Sequence, residues 1–260
     1  MPTVMLSVKV RNNFHFKQVD RFLNSILEGL KVKTEICGVT SRGLIQIAVS
    51  GEDEKVALHY LANELGICPV SLENVEKFVV IKGYIIDLDK SKDKLHIDIG
   101  VSSPKIINAT ISLQHLQAQL IDGRKVALKK IAQLFGFCEN LPLTIKISNM
   151  DEENDYIDAM LSEKQLAQYR NWTKSLLDRL IIAGTSAYDL RLALKRTGLN
   201  RDIVKIESLG LFEQAVVCQL GTDAVGLIPK IGRSLPNATF SVFNPKRVLE
   251  FLNYATAFTF

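Results

Sequence analysis

The sequence predicts an α+β protein of three consecutive segments. Residues 1–76 read in the order β-α-β-β-α. Residues 77–150 read as three strands, a helix and a strand. Residues 151–260 read as two helices followed by short strands and a last helix. The chain has 260 residues, 47% of them hydrophobic, enough for two or three small cores. Charged residues make up 23%, which excludes a disordered or low-complexity chain.

The first segment opens with the alternating run Thr3–Val10, a strand. Phe16, Val19, Phe22, Leu23, Ile26, Leu27 and Leu30 then recur at helical spacing. Val32–Val39 and Leu44–Val49 are β-rich runs joined by Thr40-Ser41-Arg42-Gly43, a hairpin signal. A helix beginning near Glu54 presents Val56, Leu58, Leu61, Ala62 and Leu65, and Gly66 ends it. With a last strand from Phe78–Ile86, this order makes a ferredoxin-like sandwich.

In the second segment FVVIKGYIID is a strand with Gly83 where a barrel strand can bend. Leu95, Ile97 and Ile99 alternate with polar residues, Lys105–Leu113 is a third strand, and helical stretches between Leu116 and Leu134 close at Gly136. Leu143, Ile145 and Ile147 alternate again. This order is compatible with an OB or S1-like β-barrel.

The acidic run Asp151–Asp155 reads as an exposed connector and a domain boundary, giving domains 1–76, 77–150 and 151–260. Beyond it, Leu166, Tyr169, Trp172, Leu176, Leu177, Leu180 and Ile181 predict one long helix stopped by Gly184. Ala187–Arg196 is a second helix, so 162–196 reads as a helical hairpin open to a helix-turn-helix interpretation. Ile203–Leu209, Phe212–Leu220, Gly226-Leu227-Ile228 and Thr239–Phe243 are strand candidates, and Leu209–Gly232 reads as a compact hairpin module. Asn244-Pro245 starts a final helix. The small apolar tail from Ala255 either docks on the protein or frays.

The cysteines Cys37, Cys68, Cys138 and Cys218 are far apart, with no CxxC pair. They read as small buried hydrophobes in an intracellular protein, not as disulfides or a zinc site. No apolar run is long enough for a membrane span, and the first residues lack a signal-peptide pattern. His15, His59, His96 and His115 fall in no metal-binding spacing. Asp87, Asp89 and Asp98 interleave with Lys90, Lys92 and Lys94, which reads as a salt-bridged turn. Gly221-Thr222-Asp223 reads as a turn in which Asp223 bonds nearby amides. No phosphate-loop or dinucleotide signature is present, so the expectation is no catalytic residue, no metal and no cofactor.

Positive charge is concentrated. Residues 77–150 carry 11 basic and 6 acidic side chains, net +5, and residues 181–260 carry 9 and 6, net +3. The candidate nucleic-acid contacts are Lys82, Tyr84, Lys105, Arg124, Lys125, Lys129 and Lys130 in the middle. Arg191, Lys195, Arg196, Arg201, Lys230 and Arg233 follow in the last third. Arg191 and Lys195 are four apart and share a helix face. Cations on one face attract a phosphate backbone, and Tyr84 and Tyr188 are candidates for base stacking.

The run Arg201–Pro245, and within it Gly221-Thr222-Asp223-Ala224 and Gly226-Leu227-Ile228, resembles the archaeal domain-of-unknown-function family 2110. The resemblance extends to the length and order of the whole chain. It implies an archaeal cytoplasmic protein and transfers no catalytic residue. Leu209-Gly210-Leu211-Phe212 and Gly226-Leu227-Ile228 are similar in rhythm to the S1 type of RNA-binding barrel, and Lys82-Gly83-Tyr84 could open another. The expected function is a non-catalytic RNA-binding or ribosome-associated factor. The alternative is a protein-interacting or DNA-interacting, transcription-related factor using the helix pair 162–196.

Overall fold

A computed structural model describes residues 2–151 and 153–253. The apolar tail from Ala255, and Glu152 of the acidic connector, lie outside the described residues. The chain forms two compact units, Met1–Glu76 with Ile99–Asn108, and Lys77–Asp98 with Ala109–Phe260.

The first unit contains β1 (Thr3–Lys9), α1 (Asn13–Ile26), β2 (Val32–Val39), β3 (Leu44–Gly51) and α2 (Glu54–Glu64). Asn12 starts α1, its side chain accepting from the His15 amide at 2.9 Å. Helix α1 turns Val19 and Leu23 inward, α2 turns Ala57 and Leu61 inward, and β3 is buried through Ile45, Ile47 and Val49. The antiparallel sheet has the order β1-β3-β2. The expected fourth strand is not part of it, because Val80–Ile86 pairs elsewhere. The free edge of β1 meets only a short stretch after α2. Ser7 N donates to Gly66 O at 2.9 Å, Cys68 N donates to Met5 O at 2.8 Å, and Leu6 bridges Ile67. Pro69 follows at once and has no N–H with which to continue the ladder. Gly100 packs against Cys68 in this unit. At φ +90°, a Cβ there would lie 2.5 Å from Cys68 Cβ.

A closed barrel is formed by β4 (Val80–Ile86), β5 (Lys94–Val101), β6 (Ile107–Ser112), β7 (Pro142–Asp151) and β8 (Tyr156–Leu161), all of it in the second unit except Ile99–Val101 and Ile107–Asn108. The order round the barrel is β4-β5-β6-β8-β7, and β4 closes onto β7 from Val80↔Lys146 to Tyr84↔Pro142. The β6–β8 pair is parallel and β7–β8 is antiparallel. Ile85, Leu95, Ile97, Ile145, Ile147 and Ile157 are fully buried, so the period-two alternation marks the barrel core. Helices α3 (Leu113–Leu120) and α4 (Leu128–Phe135) connect β6 to β7. The acidic connector is therefore the turn between β7 and β8. Asp151 Oδ2 accepts from Asn154 Nδ2 at 2.7 Å and Oδ1 from the amides of Asn154 at 3.1 Å and Glu153 at 3.0 Å, and these bonds, the side-chain one foremost, hold its carboxyl below the usual range.

The remainder is α5 (Glu163–Lys174), β9 (Arg179–Ala183), α6 (Ala187–Arg196), β10 (Ile203–Ser208), β11 (Glu213–Cys218), α7 (Ala224–Gly232), β12 (Thr239–Phe243) and α8 (Pro245–Phe251). The helical hairpin is thus replaced by helix, strand, helix. Helix α5 stops at Ser175, Leu176 takes φ +54°, and all five residues of β9 are buried. Gly226-Leu227-Ile228 is helical, not a strand. Asp223 caps α7 by accepting from Val225 N at 3.0 Å, and Ala224, Leu227 and Ile231 form its buried stripe.

From β9 to β12 the order is β-α-β-β-α-β, in an antiparallel sheet arranged β10-β11-β9-β12. Helices α6 and α7 cover one face, with Leu190, Leu194, Leu227 and Ile231 packed on Leu180, Ile182, Val216 and Cys218. Ile181 has the opposite parity and faces the other side. There Phe135, Phe137, Tyr169, Trp172 and Phe243 form an aromatic cluster with ring centroids 5.3–6.5 Å apart. Gly136 lets the end of α4 meet the sheet, since a Cβ there would stand 2.8 Å from Ile181 Cδ1.

Candidate nucleic-acid interface

Helix α6 begins at Ser186, whose Oγ accepts from Asp189 N at 3.2 Å and donates to Asp189 Oδ2 at 2.6 Å. This anchorage leaves Tyr188 67% exposed. Arg191 and Lys195, three and seven positions on, are also exposed and share its face. Arg196 is exposed at the end of α6, and Lys230 and Arg233 are exposed at the end of α7. The described residues offer none of these five cations an ion-pair partner within 4.0 Å.

A second basic group lies on α4. Its first turn carries Lys129 and Lys130 and no acidic residue, with Ala127 at the N-cap position making no side-chain cap bond. Cations there oppose the helix dipole, so these lysines are not placed to stabilise α4. Lys129 and Lys130 line a cleft of about 900 Å³ together with Arg247 and Glu250 of α8, Asp89, and Ser241 of β12. Helix α4 packs on the aromatic side of the C-terminal sheet and α6 on the opposite side. The two basic groups are therefore separate surfaces.

Of the other sequence candidates, Tyr84, Lys82 and Arg124 have structural employment. Tyr84 is 1% exposed, so it offers no stacking surface. Lys82 Nζ stands 3.3 Å from the Cβ position of Gly210, which the buried Glu213 carboxylate also crowds. Arg124 donates to the carbonyls of Phe251 and, at 2.8 Å, Leu252, closing the end of α8. Lys125 is exposed just before α4, Lys105 in the loop after β5, and Arg201 in the 3-10 turn Leu199–Asp202. Arg247 was not singled out by sequence. Its only signal was its place shortly after Asn244-Pro245, and folding alone brings it into the cleft that Lys129 lines.

Groups with displaced pKa values lie in turns, caps and cores. Burial pushes the Cys218 thiol up to about 11, so it is a neutral thiol near pH 7. Burial also raises the Asp178 carboxyl, which accepts from Asn244 Nδ2 at 3.2 Å and Ala224 N at 3.5 Å. Burial pushes the Tyr169 phenol upward within the aromatic cluster. Lys90 Nζ pairs with Asp87 Oδ1 at 2.6 Å, as the salt-bridged turn requires. Three cysteines are buried, but Cys37 is exposed on β2, against the expectation for all four. No described group of three or more His, Cys, Asp or Glu residues could hold a metal ion. No described helix is long and apolar enough to cross a membrane.

No curated protein matches the chain. Among solved structures, it is similar to a chain of the a/eIF2alpha-aDim2p-rRNA complex from Pyrococcus horikoshii OT3, at 12% identity and TM-score 0.26, over 48% of this chain and 64% of that one. The chain thus spans less than two thirds of that relative. It is also similar to the intact alpha subunit of aIF2 from Pyrococcus abyssi, at 9% identity and TM-score 0.26, over 65% and 97%. An uncharacterized protein from Methanocaldococcus jannaschii is similar at 11% identity and TM-score 0.23, over 34% and 95%. Residues 75–173 match the DUF2110 central domain and residues 177–243 match the DUF2110 C-terminal domain. With more than half of its length matched, the chain belongs to the DUF2110 family.

Proposed function

We propose that this chain is a non-catalytic RNA-binding factor of archaeal, cytoplasmic type that works on or near the ribosome. One observation carries the reading: Tyr188, Arg191 and Lys195 form an exposed stripe on α6, and the cations have no ion-pair partner among the described residues. An aromatic with cations at i+3 and i+7 joins base stacking to phosphate attraction.

The fold agrees with this reading at the level of analogy. The barrel order, with its parallel β6–β8 pair, is that of an OB-type barrel, and the β-α-β-β-α-β unit has ferredoxin-like order. The contact is assigned to the helical layer because the exposed stripe lies on α6. The helix-turn-helix alternative loses its basis, because β9 separates α5 from α6.

The test is equilibrium binding to a pool of structured and single-stranded RNAs with duplex DNA as competitor. Salt-sensitive RNA binding that DNA displaces poorly, and that Tyr188→Ala weakens, supports the reading. Binding unchanged by Tyr188→Ala and by Arg191→Glu/Lys195→Glu overturns it.

A further inference from the structure

The cleft between α4, α8 and β12 has walls of two kinds. Lys129, Lys130 and Arg247 supply three cations from two helices. Neither Lys129 nor Arg247 has an ion-pair partner among the described residues. Leu88, Phe137 and Phe251 supply apolar surface. Lys130 Nζ lies 5.9 Å from the Phe251 ring centroid, so an apolar ring and an anion are met close together. Asp89 and Glu250 also line the cleft and, when ionised, only accept hydrogen bonds.

We propose that this cleft binds a nucleoside phosphate. The phosphate meets Lys129, Lys130 and Arg247, a set suited to a multiply charged oxyanion. The base lies on the Phe251 side. Asp89 and Glu250 accept from ribose hydroxyls or an exocyclic amine, and they repel a ligand charged at both ends. About 900 Å³ is more room than inorganic phosphate alone can fill. The lysines' position in the first turn of α4, where they oppose the dipole, is explained by a ligand. The same chemistry is presented by a free mononucleotide and by one nucleotide of a single strand. This inference does not depend on the α6 stripe, which lies across the sheet.

The experiment is equilibrium dialysis of the full chain against inorganic phosphate, the four ribonucleoside 5′-monophosphates, and a single-stranded ribotrinucleotide. Wild type should bind at least one monophosphate or the trinucleotide saturably and more tightly than phosphate. Lys129→Ala and Arg247→Ala should each weaken it by about tenfold, the scale of a lost charge-assisted bond, and Phe251→Leu should narrow the margin over phosphate. Lys55→Glu, at an exposed cation of α2, should leave mononucleotide binding unchanged. Monophosphate binding without trinucleotide binding identifies a free nucleotide, and the reverse identifies a strand. No saturable binding of either by wild type, or affinities unmoved in Lys129→Ala and Arg247→Ala with the fold intact by circular dichroism, overturns the proposal.

Discussion

The guanidinium carbon of Arg179 lies 5.0 Å from the ring centroid of Trp172, and Arg179 Nη1 donates to the Trp172 carbonyl at 3.3 Å. The same nitrogen reaches Ser175 Oγ and the Leu177 carbonyl, each at 2.9 Å. Trp172 Nε1 donates to Glu207 Oε2 at 2.9 Å, and Arg179 Nε approaches that oxygen at 3.5 Å. One side chain, 4% exposed, thus closes α5, orients the tryptophan and ties both to β10. The shared carboxylate and carbonyls make this a network, not an isolated ion pair.

Replacing Arg179 by Ala deprives the end of α5 of its donor, while Glu207 keeps Trp172 Nε1 and Lys205 Nζ, which stands 3.0 Å from Glu207 Oε1. The expected loss is about 1–3 kcal/mol, the scale for leaving buried acceptors unpaired. Trp172 is the only tryptophan in the chain, so urea unfolding followed by its fluorescence reads the effect directly. A midpoint unchanged from wild type would contradict this account of the joint.

Gly136→Ala should destabilise the joint between α4 and the C-terminal sheet by about 2 kcal/mol. The residue sits at φ +68°, and a Cβ would stand 2.8 Å from Ile181 Cδ1 and 3.2 Å from the Val242 carbonyl. Strain and overpacking act together. Thermal unfolding of Gly136→Ala beside Gly123→Ala separates them, because Gly123 also has positive φ but nothing within 4 Å of its Cβ position.

Burial raises the Cys218 thiol from 9.0 to about 11, and the sign of the linkage follows. The folded state holds this proton more tightly than the unfolded chain. Its contribution is fully present below pH 9 and is lost as pH rises toward 11. Cys218→Ala should flatten the alkaline decline of the unfolding free energy across that window. In the native protein at pH 8, a thiol reagent should label Cys37 first and Cys68, Cys138 and Cys218 only on unfolding.

Lys129→Glu should stabilise the protein slightly, by about 0.3–1 kcal/mol, because it places an anion in the first turn of α4. It should also abolish anion binding in the neighbouring cleft. A gain in denaturation midpoint together with a loss of phosphate-ligand binding is the expected pair. A loss of stability would show that Lys129 serves the fold.

Much of the fold was legible where periodicity was clean. The alternating Leu95, Ile97 and Ile99, and Leu143, Ile145 and Ile147, are barrel strands, and the β-α-β-β-α order of the first unit is present. Reading failed where an element is buried on both faces. Leu180 and Ile181 continue the helical spacing of Leu166, Tyr169 and Trp172, so nothing in the pattern separates central strand β9 from α5. In α7, Gly226 and Pro229 argue against a helix, yet burial of Ala224, Leu227 and Ile231 outweighs propensity. The fourth strand assigned to the first unit was drawn by sequence proximity alone, and the complete β-α-β-β-α-β set occurs after Lys174. For the candidate sites, Tyr188, Arg191 and Lys195 were visible because a helix face is local. The burial of Tyr84 and the presence of Arg247 and Lys129 in one cleft come from tertiary folding, which leaves no local mark.

The central claim is that RNA is held by the α6 stripe. The most direct measurement is the salt dependence of RNA affinity for wild type, Arg191→Glu/Lys195→Glu and Lys129→Glu/Lys130→Glu, with monovalent salt varied between about 50 and 200 mM. The account predicts that the α6 variant loses affinity at every salt concentration and that its log–log slope falls by about two phosphate contacts. Equal slopes and affinities for wild type and the α6 variant would contradict it.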